Sequence, residues 1–143
     1  MQVQRVAATG VSALYPAVAG ANLNGETTTA GNGNIVQQTL NGTLTVNNAV
    51  AANGSGNVLL QAQTTAANDK DVAVNAAVSS GTGNLTVLAN RDVKINANIT
   101  TGGSGAIAIW ADQGANGVGD VVQTAGSIQT VDGTIFVAGQ NIT

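Results

Sequence analysis

The 143-residue chain contains no cysteine and no histidine. That excludes zinc-finger, iron–sulfur, haem and thiol chemistry, and any Ser–His catalytic pair. It does not fix the redox compartment, because many exported bacterial proteins avoid cysteine. Aromatic residues are nearly missing: Tyr15, Trp110 and Phe136 are the whole set. Sugar recognition through stacked rings has little to work with. Charge is scarce too, at 8% of residues against roughly 25% in an ordinary domain. The four basic residues, Arg5, Lys70, Arg91 and Lys94, cannot neutralise a phosphate backbone, so no nucleic-acid partner is expected. No apolar run is long enough for a membrane span. Paired carboxylates for acid–base work are also lacking, since the seven acids lie mostly at turns, and no enzyme activity is expected.

What is present is a chain 43% hydrophobic, rich in Val, Ile and Leu, which argues against disorder. Its order is periodic. The glycines Gly33, Gly56, Gly83, Gly105 and Gly133 are spaced 23, 27, 22 and 28 residues apart. Taken two at a time the steps are 50, 49 and 50, so two unequal units make a double repeat of about 50 residues. The second and fourth residues after each glycine are apolar almost throughout, as in Asn84-Leu-Thr-Val and Ala106-Ile-Ala-Ile, and the sixth is small. Apolar residues at period two mark a strand. A second strand follows: Leu44–Val46, Val72–Val74, Val93–Ile95 and Val121–Gln123, introduced by Gly42, Asp71, Asp92 or Asp120. The length difference is confined to the corner between these strands, where Thr64–Lys70 and Asp112–Gly119 are extra. A constant framework with insertions at one corner is the signature of a solenoid. The expectation is an all-β, right-handed parallel β-helix of about six coils, alternating short and long.

The segments Ser80-Gly-Thr-Gly-Asn-Leu-Thr-Val-Leu-Ala89, Asp92-Val-Lys-Ile-Asn-Ala97 and Asp132-Gly-Thr-Ile-Phe-Val-Ala138 resemble the repeats of filamentous haemagglutinin-type exoproteins. These are large bacterial surface proteins, often exported by two-partner secretion. The resemblance spans about residues 20–143. It implies a β-helical shaft, an extracellular or cell-surface location and no catalytic residues. Residues 1–19 stand apart, as an atypical first coil or cap rather than a signal peptide, because Gly10 and Pro16 interrupt their apolar run. At the other end, Gln140-Asn-Ile-Thr143 reads as the start of another second strand. Either the chain continues there or a second molecule completes the edge, and the latter gives head-to-tail association.

Candidate sites follow from these columns. Asp71, Asp92 and Asp120 share one column; stacked carboxylates repel, and Ca²⁺ would relieve the repulsion. A turn role, with the carboxylates bonding backbone N–H groups and Lys70, Arg91 and Lys94 offsetting the charge, is the simpler reading. No metal and no cofactor is therefore expected. Asn24, Asn47, Asn75 and Asn96 form a corner column suited to stacked amides. Thr28-Thr29, Ser79-Ser80, Thr100-Thr101 and Thr130 mark a corner of small residues. Five Asn-x-Ser/Thr sequons, at Asn41, Asn53, Asn84, Asn98 and Asn141, are what chance gives in so Asn- and Thr-rich a chain. The outward positions of the first strand bring Leu59, Leu88, Trp110 and Phe136 into one apolar stripe, an expected interface for self-association or a glycan or cell-surface partner. The competing reading is that the Asp112–Gly119 loop folds over it.

Overall fold

The computed structural model describes residues 13–16, 26–28, 31–63, 70–115 and 117–143. Every regular element among them is a β-strand. First come β1 (Ala13–Pro16) and β2 (Glu26–Thr27). The next turn has β3 (Ile35–Thr39), β4 (Leu44–Val46) and β5 (Val50–Ala52). Three more follow: β6 (Val58–Ala62), β7 (Val72–Val74) and β8 (Val78–Ser80); β9 (Leu85–Ala89), β10 (Val93–Ile95) and β11 (Ile99–Thr101); β12 (Ile107–Trp110), β13 (Val121–Gln123) and β14 (Ile128–Thr130). Finally β15 (Ile135–Ala138) opens another turn, and Ile142 bridges to Val121 in parallel.

Equivalent strands stack in parallel into three sheets, in the orders β1-β3-β6-β9-β12-β15, β4-β7-β10-β13 and β2-β5-β8-β11-β14. The fold is a β-solenoid. Among the described residues four turns carry all three strands, with β1, β2 and β15 on either side of them, against an expectation of about six coils. The alternation is as expected: the β3–β4 and β9–β10 corners are short, and the β6–β7 and β12–β13 corners are long. Of the expected cap over residues 1–19, only β1 falls within the described residues; Gly20, Asn24 and most of the Thr64–Lys70 loop fall outside them.

Strict in-register stacking explains the sequence pattern. Ile35, Val58, Leu85, Ile107 and Ile135 form one inward column, and Leu44, Val72, Val93 and Val121 another. Val50, Val78, Ile99 and Ile128 form a third. Within the complete turns most of these side chains are fully buried. Each contributes about 1.5–3 kcal/mol of transfer free energy. The core thins toward the last turn, where Ile128 and Val137 are half-buried and Ile135 is exposed.

The corners carry the rest. A Cβ on Gly56, Gly83, Gly105 or Gly133 would lie well under 3.0 Å from the carbonyl oxygen of the spacing glycine one turn earlier. Glycine recurs there because two backbones touch. At the end of the third strand, Ser80, Thr101 and Thr130 donate their hydroxyls to the carbonyls of Gly56, Gly83 and Gly105, each at 2.7 Å. The small-residue corner is thus a hydroxyl column, with Ser80 and Thr101 turned inward and their neighbours Ser79 and Thr100 facing out.

Candidate functional site

Three surfaces gather the polar and aromatic side chains that the core does not use. The first is the Asp column. Asp71, Asp92 and Asp120 precede β7, β10 and β13 and stack on consecutive turns. Each Asp Oδ1 accepts from the backbone amide one turn later. Asp92 N donates to Asp71 at 3.3 Å, Asp120 N to Asp92 at 3.1 Å and Asn141 N to Asp120 at 3.1 Å. This is the turn role with a longer reach, from one coil to the next.

Asp71 is 5% exposed and would be costly to bury alone. Arg91 takes it at two points, Nε to Oδ1 at 2.8 Å and the Nη2 donor to Oδ2 at 2.9 Å, while Lys94 Nζ reaches Oδ2 at 2.7 Å. Burial pushes the Asp71 carboxyl up, but the Arg91, Lys94 and Asp92 donors outweigh it and hold it at about 2. The same hydrogen bond raises the Lys94 ammonium above its ordinary value. Arg91 and Lys94 thus offset the charge at the Asp71 end of the column. Among the described residues no group of three or more acidic side chains converges on a common point.

The second surface is built from carboxamides. Asn34, Asn57 and Asn84 Oδ1 accept from the amides of Asn57, Asn84 and Ala106 at 2.8–2.9 Å. Asn75 Nδ2 donates to Asn47 Oδ1, and Asn96 Nδ2 to Asn75 Oδ1; the column ends where Thr124 donates to Asn96. Of the sequon asparagines, Asn84, Asn98 and Asn141 are engaged in such contacts. These side chains are spent on joining coils.

The third surface is the outer face of the six-stranded sheet. Register places Leu59 opposite Thr86 and Leu88 opposite Trp110, with Phe136 beside Ala108 on the next strand. Leu59 and Leu88 are half-buried, whereas Trp110 is 47% and Phe136 52% exposed. Their rings meet edge to face, 6.1 Å between centroids and 67° between planes, a favourable aromatic geometry. The long corner does not close over them. Asp112 and Ala115 adopt left-handed backbone conformations that turn the loop on itself. Gln113 N is tied to Ala89 O at 3.0 Å.

A chain of amides borders this stripe and has no apolar period to announce it. Gln38 Nε2 donates to Gln61 Oε1 at 2.7 Å, and Gln61 Nε2 to Gln113 Oε1 at 3.4 Å. Gln61 occupies an outward position yet is buried. Glutamines at the fifth place after the spacing glycine were the only sequence trace of it.

Among the described residues no helix is long and apolar enough to cross a membrane. Compared with protein-family models, with curated proteins and with solved structures, the chain matches none.

Proposed function

We propose that the chain is a non-enzymatic structural β-solenoid: a shaft segment or subunit of a secreted bacterial surface filament or adhesin. One observation carries this reading. Asp71, Asp92, Asp120, Asn57, Asn84, Ser80 and Thr101 are all engaged in bonds between successive coils. What they build is a stiff ladder. The likeness of its repeats to filamentous haemagglutinin-type shafts supports an extracellular setting. Self-association would use the Trp110–Phe136 stripe side-on, with coil stacking along the axis as the head-to-tail route.

Negative-stain electron microscopy over a concentration series tests the reading. Filaments or rods longer than one molecule are expected. Monodisperse short particles at every concentration would refute assembly.

A second reading has its own observation. Two exposed rings on the same sheet face as the Gln38–Gln61–Gln113 amides, with Leu88 between, combine an apolar contact with uncharged hydrogen-bonding groups, the chemistry of a neutral glycan site. Monomers that bind a glycan array through Trp110 would favour this module over the filament.

A further inference from the structure

The interior column that begins at Gln37 continues as Leu60, Val87, Ile109 and Val137. The column that begins at Glu26 continues as Val50, Val78, Ile99 and Ile128. Two polar residues therefore stand where every later turn has an aliphatic one. They meet each other: Gln37 Nε2 donates to Glu26 Oε2 at 3.3 Å. Gln37 is 2% exposed, and its Oε1 is buried without a hydrogen-bond partner. A buried, unsatisfied carbonyl oxygen costs about 1–3 kcal/mol, so a donor is wanted there.

A neutral carboxylic acid supplies one. An acid and a primary amide pair at two points, the acid O–H to the amide oxygen and the amide N–H to the acid carbonyl. An ionised carboxylate accepts only, and leaves the amide oxygen orphaned. We propose that Glu26 and Gln37 form a proton-dependent latch that closes the first turn of the solenoid, with protonated Glu26 donating to Gln37 Oε1 while Gln37 Nε2 donates back.

The surroundings agree. Burial pushes the Glu26 carboxyl above its ordinary value, and the Gln37 donor offsets part of that rise. Beside Glu26, β5 presents Val50, Ala51 and Ala52, none of them titratable. On the other side of Gln37, β1 places Tyr15 in register with it. Among the described residues, no charged group of β1, β3 or β5 faces the pair. Because the folded value is raised, the latch is fully closed below the ordinary carboxylate range. It opens as pH rises through the folded value.

Glu26 is the only glutamate in the chain, so ¹³C-labelled glutamate gives a single side-chain carboxyl resonance. Its titration midpoint is expected above that of a model glutamate peptide. The Glu26 and Thr28 amides, which donate to Ala49 O and Ala51 O, report closure by hydrogen exchange. Their protection factors should rise as pH falls through the same midpoint. Glu26→Gln keeps the two-point pairing without a proton, so its protection should be high and independent of pH. A midpoint at or below the model-peptide value would overturn the proposal. So would amide protection in wild type and E26Q that follows pH alike.

Discussion

Gly83 packs against the backbone carbonyl of Gly56 so closely that a Cβ on Gly83 would fall well under 3.0 Å from that oxygen, with the carbonyl carbon close behind. Both groups are main chain and neither can swing aside. Gly83→Ala should therefore cost about 3 kcal/mol or more in urea unfolding. Gly117→Ala is the contrasting case. It has φ +77° and open space around it, so only the left-handed backbone resists, at about 1 kcal/mol. Equal costs at both positions would mean that close stacking is not what selects glycine in the column.

Ala52 occupies the place that Ser80, Thr101 and Thr130 take in later turns. It is the one complete turn without the hydroxyl. Ala52→Ser would place a donor toward the Gly33 carbonyl, in a position already suited to a small buried side chain. A gain of about 1 kcal/mol in thermal or urea unfolding is expected. A loss would show that the first complete turn is spaced differently from its successors.

Asp71→Asn leaves Arg91 and Lys94 facing an amide. Both partners are partly exposed and water replaces part of the lost interaction, so a cost of about 2 kcal/mol at neutral pH is expected. Because the folded Asp71 is held at about 2, below its ordinary 3.8, its contribution is complete above the ordinary value and fades as pH falls toward about 2. Wild type and variant should then differ at pH 7 and converge near the acid end. A difference that persists undiminished in acid would assign the effect to packing rather than charge.

Trp110 is the only tryptophan, so its emission reports on one surface. Assembly through the stripe should shift that emission to the blue as concentration rises, with light scattering increasing in parallel. Replacing both Trp110 and Phe136 by Ser removes an edge-to-face pair that is half exposed, at a folding cost of about 1 kcal/mol. It should abolish the scattering. Scattering that survives the double substitution would place the interface off the stripe.

Much of this architecture was legible because a solenoid writes its packing in the chain at fixed intervals. The glycine spacing located the backbone contact before its cause was known. The alternation in Leu85–Ala89 assigned inward and outward faces correctly, as its burial shows. The Asp column was visible as a column, but not as a chain of amide acceptors. That role depends on each Oδ1 reaching the next turn, a distance in space rather than in sequence. Gln61 stands at an outward place in the alternation and is buried all the same, bonded to Gln113, 52 residues away. Glu26 and Gln37 were invisible as a pair. Each breaks a column singly, and only the bond between their side chains, from one sheet to another, makes the two breaks one feature. The expectation of about six coils matches the six passes of the first strand, of which β1 and β15 stand outside the four turns that carry all three strands among the described residues.

The ladder of side-chain oxygens has a polarity. At Asn57, Asn84, Asp92 and Asp120 the backbone N–H comes from the later coil and the accepting oxygen from the earlier one. A cleavage plane between two such coils would thus bare side-chain oxygens on the earlier coil and their N–H partners on the later one, over a backbone ladder that bares both kinds of group on each side, as Leu44 N to Asp71 O and Asn75 N to Val46 O show. The two faces of a coil are therefore chemically distinct at these columns, and rods stacked in one direction along the axis would match oxygen to N–H at each of them.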